Sequence, residues 1–174
     1  LSVLSRKLRI SKQRAAYRLE HLEKTGIIQG YYVDTNPAVL GLVIYLLYFK
    51  FQHISHEQEQ AFIRHLNKEQ RISVNVSVQG KWDHSIAIFA RDVLEFKVVY
   101  ERVMMEYERF VKEKLITIVT DFWYFKPRYL VESVRKRELL EMSGPAKRAN
   151  IDGKDGLLLK LLSVNARMSL VEIG

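Results

Sequence analysis

The order in which hydrophobic periodicity changes between residues 43 and 125 constrains the fold of this chain more than any other feature. Two stretches repeat apolar residues every three or four positions, and four others are β-rich or alternate apolar and polar residues. The predicted elements are strands at 43–52, 72–78, 85–90 and 115–125 and helices at 55–67 and 93–112. This order predicts an α+β unit, a ferredoxin-like βαββαβ sandwich in which one helical layer covers an antiparallel sheet.

The composition is that of a chain able to build a core, because 48% of its 174 residues are hydrophobic. The absence of cysteine excludes disulfides, thiolate metal sites and cysteine nucleophiles, and it suits a reducing cytoplasm. The longest uncharged apolar run, residues 38–49, is twelve residues long, whereas a membrane span needs about 20. We therefore predict a cytoplasmic protein with no membrane partner.

Positive charge is concentrated at the start of the chain. The net charge is +8, and residues 1–33 alone hold seven Lys or Arg residues against two Glu residues. Such asymmetry is expected of a protein that binds nucleic acid, although a solvated basic face would give the same count.

Residues 1–26 have the pattern of two short helices joined by a tight turn. Leucines at helical spacing predict the helices, Ser11 is a favourable N-cap for the second, and Gly26 is a typical C-cap. The second helix would present polar and basic side chains from its first turns, as a DNA-recognition helix does. The predicted DNA contacts are Lys12, Gln13, Arg14, Tyr17 and Arg18 on this helix and Arg6 and Lys7 before it.

An ordinary amphipathic hairpin with a charged outer face fits the helix pattern equally well. The next residues favour a winged helix-turn-helix, because Ile27, Ile28 and residues 31–33 predict a small β pair around Gln29-Gly30.

Residues 1–42 resemble the DNA-binding half of the Lrp/AsnC family, the prokaryotic feast/famine transcription regulators. The family pattern Leu-Glu-x-x-Gly-[IV]-Ile-x-Gly-Tyr, followed by Asn/Asp-Pro-x-x-Leu-Gly, is matched by Leu22, Glu23, Gly26, Ile27, Ile28, Gly30, Tyr31, Asn36, Pro37, Leu40 and Gly41. The resemblance implies a winged helix-turn-helix domain at 1–36, without its first helix, that binds double-stranded DNA. Arg9 departs from the pattern, since the family often has Gly in this turn.

Residues 42–126 fit the family's regulatory and dimerisation domain. Gly80, Trp82 and Asp83 match its Gly-x-Tyr-Asp hairpin, with Trp in place of the usual Tyr, and that hairpin lies beside the family's effector pocket. The resemblance implies a homodimer or higher homo-oligomer that senses a small effector such as an amino acid. A purely structural interpretation stays open: Gly for the turn, Asp for a turn hydrogen bond and Trp for packing.

The C-terminal region divides into a charged stretch and a second family motif. Residues 127–150 are interpreted as a basic linker, with a helix over 131–142 as one option. Residues 151–174 resemble the first part of a second helix-turn-helix, through Ile151, Asp152, Asp155, Leu158, Leu159, Leu162, Ala166, Arg167 and Ser169. We interpret the sequence as a fragment of a tandem protein. We predict that the apolar helix at 154–162 docks on the leucines of residues 1–22, in its own chain or in a neighbour.

No residue pattern indicates an enzyme, a metal site or a cofactor. The nearest metal-like spacing, His53-x-x-His56-Glu57, is better explained as a helix cap. The predicted function is sequence-specific DNA binding and transcription regulation. The alternative is a ferredoxin-like small-molecule-binding or oligomerisation module whose basic helix only aids solubility. A DNA affinity that falls steeply with salt would distinguish the two.

Overall fold

The computed structural model describes residues 1–125, 139–141, 148–169 and 171. The chain divides into two compact units. The helical unit combines Leu1–Asp34 with Ile151–Gly174, and the sheet unit is Thr35–Asn150. In chain order, the elements are α1 (Ser2–Leu8), α2 (Lys12–Lys24), β1 (Val43–Phe51), α3 (His56–Leu66), β2 (Ile72–Ser77), β3 (His84–Ala90), α4 (Val93–Met104), a 3₁₀ turn (Glu108–Phe110), β4 (Val111–Val119), β5 (Trp123–Phe125), β6 (Leu139–Glu141) and α5 (Gly153–Val164).

The sheet unit contains a four-stranded antiparallel sheet in the order β2-β3-β1-β4. Strand β1 pairs with β3 from Val43↔Ala90 to Phe49↔His84, and its other edge pairs with β4. The most apolar strand is thus interior to the sheet, with hydrogen-bonded neighbours on both sides. The predicted ferredoxin-like βαββαβ order is confirmed.

Helices α3 and α4 cover one face of this sheet and form the core with it. Alternate residues of β1 point into the core because side chains in a strand have a period of two. Phe62 of α3 contacts Phe51 edge to face at 5.6 Å, and Phe96 of α4 stacks on Tyr45 at 4.3 Å. The N-cap predicted at Ser55 is confirmed by a capping box with Gln58.

The second helix of this unit is shorter than predicted. It ends at Met104 rather than near residue 112, and a 3₁₀ turn follows. Tyr107 still packs on Phe62 at 4.8 Å, so the apolar spacing continues although the backbone is no longer α-helical. The Gln52 N–H donates to the Phe110 carbonyl at 2.8 Å, and pairing with β1 begins at Val111.

The last predicted strand is divided in two. Strand β4 occupies Val111–Val119, and Trp123–Phe125 instead pair with Leu139–Glu141 in a separate two-stranded sheet. The helix considered for residues 131–142 is therefore wrong for residues 139–141, which form a strand. The remaining residues of 126–147 lie outside the described parts of the chain, and with them most of the predicted linker.

The two N-terminal helices and their turn are present as predicted. The Ser11 hydroxyl accepts the Arg14 N–H at 3.1 Å, and Gly26 has a φ of 73° just after α2. Arg9 adopts the left-handed conformation, with φ 53° and ψ 41°, at the end of α1. This conformation costs a non-glycine residue about 1 kcal/mol.

The β pair predicted around Gln29-Gly30 is wrong, since residues 27–33 form no strand. Their backbone groups bond to the C-terminal tail instead. The Ala166 N–H donates to the Tyr31 carbonyl at 2.9 Å, and the Val33 N–H donates to the Leu162 carbonyl at 3.4 Å. The tail thus lies against residues 31–33 and Glu23 of its own chain. The predicted cover of the leucines is not seen, since α5 buries no residue and Leu1, Leu4 and Leu8 stay about half exposed.

Candidate nucleic-acid interface

The first half of α2 presents the predicted recognition residues to solvent. Ala15 is buried on the inner side of the helix, and Leu19 and Leu22 are half-buried. The predicted contacts Lys12, Gln13, Arg14, Tyr17 and Arg18 are all exposed. Among the described residues, none of these five side chains has a hydrogen-bond or ion-pair partner. They are therefore available to a ligand.

The cations around the turn form a cluster that lacks acidic neighbours in sequence. Residues 6–18 contain six Lys or Arg residues and no Asp or Glu. Arg6 and Lys7 are exposed in the last turn of α1, and α2 has no acidic residue in its first turn. The N-terminus of a helix also attracts anions through its dipole and free N–H groups. We call residues 6–18 the cation cluster, and its chemistry suits a polyanion.

The nearest carboxylates of the helical unit are engaged elsewhere. Glu20 pairs with Lys24 at 2.6 Å, and Glu23 pairs with Arg167 at 2.6 Å. The charge of the cation cluster is therefore not neutralised by these two residues.

The predicted effector residues lie on the hairpin between β2 and β3. Gly80 has a φ of 126°, which favours glycine. The Asp83 carboxylate accepts from Lys50 Nζ at 2.6 Å and from the Phe51 N–H at 2.8 Å. Burial would raise the pKa of Asp83, but these two hydrogen bonds outweigh it and lower the pKa. Asp83 thus joins the hairpin to β1 as an ionised carboxylate.

The third predicted effector residue, Trp82, lies beside Tyr48, with ring centroids 6.1 Å apart. Next to the hairpin is an open cavity of about 430 Å³, with His53, Glu59 and Asp83 in its wall. The sequence did not reveal this cavity, because its wall combines a loop, a helix and the hairpin. In the loop that forms part of this wall, His53 has the left-handed backbone conformation, with φ 53°.

The sheet face opposite α3 and α4 is apolar and uncovered within the described chain. Cross-strand pairing aligns Val74, Ala87, Leu46 and Thr117 in one row, and Val76, Ser85, Tyr48 and Leu115 in the next. Val74, Val76 and Leu115 are exposed. We call these two rows the open sheet face, and such a face fits a second apolar surface.

His84 is fully buried on the helix-covered side of β3 and belongs to a polar chain. Asn75 donates its amide hydrogens to the Ile63 carbonyl at 3.2 Å and to Asn67 Oδ1 at 2.7 Å. Its Oδ1 must therefore accept from His84 Nε2 at 2.6 Å, which fixes the proton on Nε2. Burial lowers the pKa of His84 to about 4. A neutral, saturated histidine of this kind is a structural group.

Two features are absent from the described residues. They contain no group of three or more His, Asp or Glu side chains that could hold a metal ion. No helix in the described ranges is long and apolar enough to cross a bilayer.

The fold is that of known transcription regulators, although no protein-family model and no curated protein matches the sequence. An AsnC family transcriptional regulator from Agrobacterium tumefaciens aligns over 79% of this chain and 84% of its own, with a TM-score of 0.61 and 14% identity. A feast or famine regulatory protein from M. tuberculosis, complexed with L-methionine, aligns over 75% and 86%, with a TM-score of 0.63 and 20% identity. E. coli AsnC aligns over 78% and 85%, with a TM-score of 0.57 and 15% identity. At these identities the likeness establishes the Lrp/AsnC fold.

Proposed function

We propose that this chain is a DNA-binding transcription regulator of the Lrp/AsnC type, not an enzyme, and that it acts in the cytoplasm. The observation that carries the proposal is the cation cluster. Its basic side chains are exposed around the turn between α1 and α2, and none has an ion-pair partner among the described residues. Phosphate contacts supply much of the affinity of such a surface for a duplex.

Within the cluster, we assign different contacts to different side chains. The first turns of α2 enter the major groove, where Arg14 binds a guanine edge and Gln13 an adenine edge. Lys12, Arg6 and Lys7 contact phosphates, which orient the helix without reading sequence. Tyr17 and Arg18, one turn further along α2, extend the contact surface.

The open sheet face is the proposed dimer interface. Two copies packed sheet to sheet would cover the apolar rows on both chains. A two-fold dimer would carry two copies of α2, and its operator would be a palindrome with half-sites one helical turn or a multiple apart.

A small effector, such as an amino acid, is proposed to bind beside the hairpin. The M. tuberculosis neighbour is described as a complex with L-methionine, and the cavity here has a polar wall that suits a zwitterion. Of the three predicted effector residues, only Asp83 lies in the wall of this cavity, so we assign the contact within the cavity to Asp83 and keep Gly80 and Trp82 as proposed contacts on the adjoining hairpin.

The alternative function is a small-molecule or oligomerisation module without specific DNA binding. The feature that favours it is the buried core of the sheet unit, since the helical unit buries only Ser5 and Ala15 among its described residues. In that case the sheet unit would act alone and the cations would only aid solubility.

Titration of duplex DNA at several salt concentrations tests the proposal. We expect the logarithm of affinity to fall linearly with the logarithm of salt concentration, and Lys12→Ala to reduce that slope by about 1 on any duplex. Arg14→Ala should cost about 1–3 kcal/mol on a selected operator and less on random DNA.

The matched control is Lys24→Ala, which removes a cation from the far end of the same helix, where Lys24 pairs with Glu20. It should leave operator affinity nearly unchanged. An affinity that does not respond to salt, or equal losses for Lys24→Ala and Arg14→Ala, would contradict the proposed interface.

A further inference from the structure

The end of α2 carries a polar cluster that includes one residue from the C-terminal tail. Arg167 Nη1 lies 2.6 Å from Glu23 Oε1, and the Tyr31 hydroxyl donates to the same oxygen at 2.9 Å. The guanidinium also lies over the Tyr31 ring, 4.6 Å from its centroid. One carboxylate oxygen thus accepts two hydrogen bonds from residues 136 positions apart in sequence, both within the helical unit.

Backbone hydrogen bonds fix the tail beside this cluster. Ala166 donates to Tyr31, and Val33 donates to Leu162, so residues 162–166 run along residues 31–33. The Asn165 side chain accepts the Arg167 N–H at 2.9 Å and so shapes the chain that presents the guanidinium. The contact therefore has a defined register as well as charge complementarity.

The helix α2 has few other anchors. Its one buried side chain is Ala15, and its neighbouring carboxylate Glu20 is paired with Lys24. A helix in a protein is held mainly by packing of its apolar face, and α2 buries one residue fully, so polar contacts at its end add to what orients it. The cluster on Glu23 lies at the opposite end of α2 from the DNA-facing residues and can set the direction of the helix axis.

We infer that Glu23 and Tyr31 form a docking seat for Arg167 of the same chain, and that Arg167 is a positioning residue for the recognition helix. The seat holds the tail segment 162–167 against the end of α2 and thereby orients Lys12 and Arg14. The positioning role rests on the proposed DNA-binding function, whereas the seat itself does not.

Charge reversal in the full chain tests the seat. Arg167→Glu and Glu23→Arg each place like charges together, and we expect tryptic cleavage after Arg9, Lys12 and Arg14 to become roughly tenfold faster in each. The double variant restores an opposite-charge pair and the original net charge, so its cleavage rate should return towards that of the parent. Unchanged cleavage in the single variants, or no recovery in the double variant, would overturn the seat.

A control separates the contact from a general loss of charge on the tail. Lys160 is exposed on α5 and has no side-chain partner among the described residues. Lys160→Ala should leave the cleavage rate unchanged. An increase equal to that of Arg167→Glu would mean that charge on the tail, rather than the seat, protects the helices.

Mixing the two single variants distinguishes docking within a chain from docking between chains. If the tail docks within its own chain, an equimolar mixture stays as susceptible as either variant alone. Exchange between chains would pair each reversed charge with its complement and restore protection. That restoration would overturn the assignment to the same chain.

DNA titration then tests the positioning role. We expect Arg167→Glu to weaken duplex binding about tenfold and the double variant to recover both the affinity and the salt slope, although it has no basic residue at position 167. Such recovery is expected of a positioning contact, and failure to recover would overturn the positioning role. Since the cleavage measurement uses no DNA, a parent chain that binds no DNA would contradict the proposed function alone.

Discussion

The two units of this chain are stabilised in different ways. The sheet unit buries large side chains completely, among them Leu47, Phe49, Phe62 and Leu66 at 0% exposure. The helical unit leaves Leu1, Leu4 and Leu8 about half exposed. Buried apolar side chains contribute about 1.5–3 kcal/mol each, so the sheet unit has the larger share of the hydrophobic stabilisation.

Polar contacts contribute a larger share of the stability of the helical unit. The Ser11 cap, the Glu20–Lys24 pair and the Arg167–Glu23 pair are all partly or fully exposed. Exposed pairs contribute only about 0–1 kcal/mol each and weaken as salt rises. The candidate ligand surface therefore lies on the unit that has less hydrophobic stabilisation.

The largest expected effect comes from the same substitution made in both units. Leu66→Ala should lower the free energy of unfolding of the sheet unit by about 2–5 kcal/mol, because it leaves a cavity in a closed core. Leu8→Ala removes the same atoms from a side chain that is 58% exposed and should cost the helical unit under about 1 kcal/mol. Denaturant unfolding followed separately in the two units measures both, and equal losses would contradict the comparison.

Acid should destabilise the sheet unit through His84. Its pKa is about 4 in the folded chain and 6.5 ordinarily, so below pH 6.5 the unfolded chain binds the proton more readily. The free energy of unfolding should fall as the pH decreases from 6.5 to 4, by up to about 3 kcal/mol at roughly 1.4 kcal/mol per pKa unit. His84→Gln, which keeps a donor for Asn75 but does not titrate, should flatten this dependence.

The third prediction concerns two exposed valines of the sheet unit. Val76→Lys puts a charge on the open sheet face and should weaken dimerisation by about 2 kcal/mol, roughly thirtyfold in Kd. Val98→Lys makes the same change on the outer side of α4, where Val98 is 61% exposed, and should leave the assembly unchanged. Sedimentation at micromolar concentration measures both, and a parent chain that is monomeric would rule out the proposed interface.

Much of the candidate site could be predicted from local sequence. The Ser11 cap, the Gly26 terminus and the leucine spacing fix which side of α2 faces inward, so the exposure of Lys12 and Arg14 follows. The order of strands and helices in the sheet unit was also predicted correctly, because hydrophobic periodicity is read from neighbouring residues. Each of these features depends on residues within one or two turns of one another.

The errors share a different cause. The 3.6-residue spacing of Tyr107 and Phe110 indicated a continuous helix, yet a 3₁₀ turn brings the same side chains to the core while freeing the backbone to join β1. The predicted wing is not formed because a backbone N–H or carbonyl can pair with any partner of suitable geometry. Residues 31–33 found theirs in the tail rather than in Ile27 and Ile28.

The sequence by itself determined the order and approximate positions of the helices and strands of the sheet unit, and which side chains are charged, apolar or capping, because propensity, periodicity and capping act over a few residues. Only the tertiary structure decided the partners of groups that any distant residue could satisfy. The Asp83 carboxylate is bound by Lys50, and the Glu23 carboxylate by Arg167. The physical reason is that hydrogen bonds and ion pairs depend on distance in space, which the folded backbone fixes and which local sequence does not encode.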